Sequence, residues 1–236
     1  MNRILFRGGT IVDPVLGRVE SDLVVADGHI VEVGTGLDGD EAVDCTSKYV
    51  FPGLIDAHVH LAYTHVDLWK HIHTPLSYNF YLAIGNMART LETGITTVRD
   101  AGGADLGMKE AVEDGLVLGP RMQISLAMIS QTGGHGDGWN LSGIPVRLAT
   151  PYPGRPSGIA DGPDEMRRKV RELVRAGADV IKVATSGGVL SPRDEPTHAH
   201  FRPEELEVLV TEAAAAGLWV MAHAQAADGI KNAVRA

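Results

Sequence analysis

Scarcity sets the first limits. The chain has a single cysteine, Cys45, so no internal disulfide framework is possible and a reducing compartment is the expected setting. Aromatic residues make up only 5% of the 236 positions. Positive charge is short as well: 21 Lys and Arg stand against 30 Asp and Glu, for a formal net charge of -9. With no Lys/Arg cluster to offset that balance, a nucleic-acid face is not expected. No uninterrupted apolar run approaches the roughly 18 residues of a membrane span. The opening Met1-Asn2-Arg3-Ile4-Leu5-Phe6-Arg7 is too short and too charged for a secretory core. A cytoplasmic protein without membrane partners is the expectation, and formation of a homo-oligomer stays open.

What is present is a repeated cadence. At 44% hydrophobic content the chain can bury one sizeable core, in one or two domains. Residues 1–49 read as a small β module. Its strand-sized runs, Ile4–Phe6, Thr10–Val12, Asp22–Val25 and Ile30–Val33, are separated by turn chemistry at Gly8-Gly9, Asp13-Pro14, Asp27-Gly28 and Gly34. Asp27-Gly28 is a good hairpin signal. Gly34-Thr35-Gly36-Leu37-Asp38-Gly39 matches a dinucleotide-binding pattern, but no helical stripe opens after it, so it reads as a polar turn.

Residues 50–236 alternate between strand-like and helix-like segments. Helical spacing over 78–93, 104–117, 163–176 and from Pro203 onward is followed by short apolar strands, with glycine stops at Gly94, Gly177 and Gly217. A last helix is expected over 227–236. Strands alternating with helices predict a parallel sheet with right-handed crossovers. Both a (β/α)8 barrel and an open doubly wound sheet fit that cadence. The polar residues favour the barrel: each predicted strand ends in them, and a ring of strands would bring them together.

The first of these strands, Tyr49 to His60, reads as buried on both faces and places Asp56, His58 and His60 on one side. Two imidazoles one residue apart at a strand end are placed to bind one metal ion. His71-Ile72-His73 and His198-Ala199-His200 share the spacing but follow no apolar strand, and read as solvated loops. Lys182 sits within Val180-Ile181-Lys182-Val183-Ala184, on the face of Val180 and Ala184. Burial would lower its pKa toward the neutral amine, which can take up carbon dioxide as a carbamate, an anionic ligand able to bridge two metals. The alternative is a lysine paired with a carboxylate or reaching solvent. His223 ends the strand Trp219-Val220-Met221-Ala222-His223.

Phe51-Pro52-Gly53-Leu54-Ile55-Asp56-Ala57-His58-Val59-His60 resembles the first metal-binding strand of the amidohydrolase superfamily. Val180 to Gly188 and Val220 to Ala224 resemble its fourth and fifth strands. With Thr132-Gly133-Gly134-His135-Gly136, the pattern is most similar to the imidazolonepropionase-like branch, in particular its prolidase-like zinc dipeptidases and carboxypeptidases. The resemblance implies a TIM barrel, with about five of its eight strands present, beside an N-terminal β-sandwich-like module completed by later strands. It implies two divalent metal ions, usually zinc, held by His58, His60 and His223 and bridged by the Lys182 carbamate. A metal-bridging hydroxide would attack the amide carbonyl of a dipeptide or N-acyl amino acid.

His135, in a glycine-rich loop, reads as a catalytic donor to the substrate carbonyl or carboxylate, or as a loop histidine fixing its turn. Asp56 and Asp100 read as partners that orient imidazoles, or as structural hydrogen-bonders. Tyr63, His65 and the 191–200 loop are candidates to shape a pocket. The family pattern continues with a sixth-strand histidine and an eighth-strand aspartate, so a complementary C-terminal segment is an expected partner. Two other functions stay open: a mononuclear cyclic amidohydrolase or deaminase, and an inactive partial barrel serving as an interaction module.

Overall fold

The computed structural model describes residues 2–15, 17–147, 149–191 and 194–236. The chain divides into two compact units, Met1–Gly53 and Leu54–Ala236.

The first unit is one five-stranded sheet of β1 (Arg3–Asp13), β2 (Gly17–Ala26), β3 (His29–Gly34), β4 (Glu41–Asp44) and β5 (Tyr49–Val50). β1 is central, antiparallel to β2 and parallel to both β4 and β5. Gly8-Gly9 is not the turn expected from sequence. The register of β1 against β2 shifts between Phe6 and Gly9, and Gly8 takes φ +71° at the bulge. A left-handed residue that glycine supplies at little cost thus bends one strand instead of ending it. Asp27 and Gly28 both have positive φ and form the two-residue hairpin between β2 and β3. The Gly34–Gly39 segment leads to β4 with no helix after it, and Gly36 N donates to the Asp22 carboxylate at 3.0 Å.

The second unit alternates: β6 (Leu54–Val59), α1 (Leu68–Ile72), α2 (Leu76–Glu92), β7 (Ile95–Asp100), α3 (Leu106–Glu113), β8 (Arg121–Ile124), β9 (Met128–Ile129), α4 (Gly162–Arg175), β10 (Val180–Ala184), α5 (Pro203–Ala215), β11 (Trp219–His223) and α6 (Ala227–Arg235). The strands form two parallel sheets, β6-β7-β8 and β9-β10-β11, in both of which spatial order follows chain order. Among the described strands there is no reversal of order such as a doubly wound sheet contains.

The single strand expected over Arg121–Ile129 is broken in two. Leu126 has φ +64°, Ala127 N donates to Ser125 O, and Leu126 O accepts from Gly103 N at 3.1 Å. The break lets β8 pair with β7 while β9 pairs with β10.

α4 shows why the helices form and where they pack. Pro163 lies in its first turn with Asp164 and Glu165, which suits the positive end of the helix dipole. Met166, Val170 and Leu173 are fully buried, and the chain leaves the helix at Gly177 with φ +94°. They join Ile124, Leu126, Ile129, Ile181, Leu206 and Leu209 in one core. Burying such an aliphatic side chain stabilises the fold by about 1.5–3 kcal/mol. β6 departs from the expected double burial: Leu54 is 56% and Ile55 72% exposed. Among the described strands β6 pairs with β7 alone, so only one edge of it is covered. His71 and His73 lie on and just after the short helix α1, capped by Asp67, and not in a loop. Among the described residues no helix is long and apolar enough to cross a membrane.

Candidate metal and substrate site

A cavity of about 410 Å³ lies at the C-terminal ends of the parallel strands, and His58, His60, His135, Lys182 and His223 all line it. The strand period accounts for most of this convergence. His58 is near the end of β6 and His60 is the first residue past it; His223 closes β11. β10 is buried along its whole length, and Lys182 is 2% exposed. His135 arrives from the glycine-rich loop after β9.

The imidazoles stand as two pairs. The His58 and His60 ring centroids are 5.4 Å apart, and those of His135 and His223 are 4.3 Å apart in a stack. His60 Nδ1 lies 2.8 Å from Gly102 O, and His223 Nε2 lies 3.1 Å from Gly187 O. Fixing one ring nitrogen on a backbone carbonyl is how proteins orient an imidazole for a metal at the other. Among the described residues no hydrogen bond holds the His58 ring, and no three His, Cys, Asp or Glu side chains form a metal-binding cluster. A divalent ion held here would therefore have to draw on Lys182 as well as the histidines that line the same cavity. A lysine can join it only as a neutral amine or an anionic derivative.

Burial moves Lys182 toward that condition. It pulls the Lys182 ammonium down to about 8, and the nearby Arg99 guanidinium pulls the same way. Burial also lowers His58, with Lys182 and His60 adding like-charge repulsion. His135 is lowered to about 4, again by burial first and by His223 second.

Of the two readings of the aspartates, both take the structural hydrogen-bonding one. Asp56 accepts from His58 N, not from an imidazole. Asp100 is fully buried and accepts from Leu61 N at 2.8 Å, Gly102 N at 2.9 Å and Ala104 N at 3.2 Å. Its reach to His60 is indirect, through the backbone segments on either side of that ring. Burial raises its carboxyl to about 6 against the pull of those three donors. Tyr63 and His65 do line the cavity; the Tyr63 ring lies 5.7 Å from His60, and its buried hydroxyl is raised by burial.

Sequence reasoning missed a buried polar cluster beside the cavity. His200, read as a solvated loop residue, is 3% exposed and lies 3.0 Å from the Asp194 carboxylate through Nε2. Asp194 binds Ser191, which in turn meets His135. No periodicity marks this loop, and only the bare His198-x-His200 spacing hinted at it. Pro192 and Arg193, within the 191–200 loop expected to shape the pocket, lie outside the described residues.

Sequential parallel strands with a histidine- and lysine-lined cavity at their C-terminal ends define an α/β scaffold of the kind that carries hydrolytic metal centres. The chain belongs to the amidohydrolase family, whose model matches residues 49–236. It is similar to ochratoxinase from Aspergillus niger, with 37% identity over 238 residues covering 91% of this chain and 48% of that protein. Among solved structures it is similar to a prolidase complexed with N-methylphosphonate-L-proline, at 36% identity and a TM-score of 0.87, covering 99% of this chain and 59% of the other. A Xaa-Pro dipeptidase with bound methionine gives 29% identity and a TM-score of 0.82, with coverage of 99% and 59%. The chain spans about half the length of the curated relatives it matches.

Proposed function

We propose that this chain supplies the histidine and lysine groups of a metal-dependent hydrolase that cleaves the amide bond of a dipeptide or an N-acyl amino acid. The observation that carries this reading is Lys182: a buried lysine, lowered to about 8, among five histidines in one cavity. No carboxylate pairs with it among the described residues. A lysine kept only for packing would be better replaced by an apolar residue, since an isolated buried charge is costly.

His58, His60, His223 and Lys182 would hold two divalent ions, zinc being the expected metal. Bound there, such ions supply a strong nucleophile at neutral pH and polarise the carbonyl oxygen. Lys182 prepares for this by reacting with carbon dioxide: its nitrogen lone pair forms the C–N bond, and one proton leaves to solvent. The product is an anionic carbamate, which suits a site otherwise built of imidazoles. His135, held against His223, would contact the substrate. The likeness to a prolidase and to ochratoxinase supports an amide substrate. Ile55 on β6 and Trp219 on β11, 72% and 83% exposed, support a barrel in which further strands pair against both end strands, supplied by a complementary C-terminal segment. The single cysteine supports a cytoplasmic setting.

The test combines elemental analysis with turnover. The zinc-loaded protein, with any complementary segment it purifies with, should hold two ions per site and hydrolyse members of a panel of Xaa-Pro dipeptides and N-acyl amino acids. Chelation should abolish turnover, and His58→Ala should lower both metal content and rate. Full activity after chelation and dialysis, or undiminished metal in His58→Ala, would overturn the assignment.

A further inference from the structure

Beyond β10 the chain folds back over the cavity, and Asp194 is the point to which it is tied. The Asp194 side chain is 2% exposed. One carboxylate oxygen accepts from Gly188 N at 2.9 Å and from Ser191 Oγ at 2.7 Å; the other faces His200 Nε2 at 3.0 Å. Ser191 Oγ also lies 2.8 Å from His135 Nδ1. A hydroxyl has one proton, and three acceptors compete for this one: the carboxylate at 2.7 Å, Gly188 O at 3.4 Å and the ring nitrogen. The charge-assisted bond to the carboxylate is both short and the strongest of its kind available, so it takes the proton. The Ser191 oxygen is then an acceptor toward the ring, and His135 Nδ1 must be the donor.

We propose that Asp194 is a positioning residue that acts through Ser191: it commits His135 Nδ1 as a donor into the protein and thereby leaves Nε2 as the nitrogen offered to the cavity. Two features make the device rigid. Gly188 sits so close that a Cβ built on it would lie 2.1 Å from His135 Cε1, and the His223 ring stacks on the His135 ring at 4.3 Å. Both contacts, with the Asp194–Ser191 chain, oppose turning of the ring. Gly187, which carries the carbonyl facing His223, is packed against Asp194 as well: a Cβ there would lie 2.5 Å from Asp194 Oδ1. Asp194 therefore holds the loop that touches both imidazoles of the stack. The step from orientation to rate rests on the proposed hydrolase reading; the orientation itself does not.

Two measurements on the full protein keep these apart. Long-range proton–nitrogen correlation spectra of the histidine rings, with the His135 signals assigned by their loss in His135→Gln, should show Nδ1 protonated. In Ser191→Ala and Asp194→Asn that pattern should be lost or averaged. A wild-type ring with Nδ1 unprotonated, or an unchanged His135 pattern in both variants, overturns the proposal whether or not any substrate is turned over. In the turnover assay, Ser191→Ala should lower kcat/KM about tenfold at unchanged metal content. It should have no further effect in the His135→Gln background, because a residue acting through His135 has nothing left to position. An equal loss in both backgrounds would mean that Ser191 and Asp194 only hold the loop together.

Discussion

Gly188→Ala offers the sharpest perturbation of the site, because the three atoms nearest the added carbon all belong to the His135 ring. The added Cβ would lie 2.1 Å from His135 Cε1, 2.3 Å from Nδ1 and 2.8 Å from Nε2, where ordinary contact begins at 3.4 Å. Gly188 is not among the positive-φ glycines, so alanine can adopt its backbone and the steric term stands alone. The ring must retreat by more than about 1 Å, a displacement that costs on the order of 100-fold when the group contacts substrate. That corresponds to about 2.7 kcal/mol in kcat/KM. Releasing the Ser191 bond and the His223 stack should also destabilise the fold by about 1–2 kcal/mol, or roughly 2–8 °C in Tm for a unit of this size. Metal held by His58 and His60 should remain, while any ion that depends on His223, whose stack with His135 is disturbed, is the one at risk. Kinetics on a Xaa-Pro dipeptide, calorimetry and elemental analysis of the same preparation read all three. Wild-type kcat/KM with wild-type Tm would refute the seating of this loop on His135. Complete loss of metal would refute the separation of His135 from His58 and His60.

Two further predictions concern stability. Lys182→Met should stabilise the metal-free protein in carbon-dioxide-free buffer at pH 7 by about 3 kcal/mol, the penalty implied by lowering the ammonium from 10.5 to about 8. Between those values the unfolded chain binds more protons than the folded one, so wild-type stability rises with pH and the advantage of the variant vanishes by about pH 10.5; denaturant titrations that show a pH-independent difference would exclude the buried-amine assignment. Gly158→Ala should cost about 2–4 kcal/mol, because its Cβ would lie only 1.9 Å from Met128 O and would part the Ser130 N–Gly158 O and Ala160 N–Ser130 O bonds. A Tm within about 1 °C of wild type would show that the chain crossing at Met128 has room to spare.

What could be read from the residues and what could not divide along a physical line. The face on which His58, Lys182 and His223 lie follows from strand period, a local property that a handful of consecutive residues establishes, and all three line the cavity. Burial of β10 was legible for the same reason: four apolar residues surround one lysine, and their burial carries the lysine in with them. Features set by a partner distant in sequence were not legible. Gly8-Gly9 serves a turn or a bulge equally well, and the choice is made by β2, whose Ser21 and Val19 go on pairing beyond it. Leu126 enters the left-handed region against its own preference, and the tertiary bond from Gly103 N to its carbonyl helps hold it there. The case of His200 goes furthest. The spacing His-x-His is identical at 58–60 and 198–200, yet one pair lines the cavity while His200 is locked on Asp194, six residues earlier in an irregular loop. The His135–Ser191 bond spans 56 residues. Periodicity encodes which way a side chain points, and only the closed fold decides what waits there. Groups whose role depends on a hydrogen-bond partner, such as His135, are therefore the ones whose chemistry a sequence leaves open between donor and acceptor, and the Ser191–Asp194 chain is where this fold makes that choice.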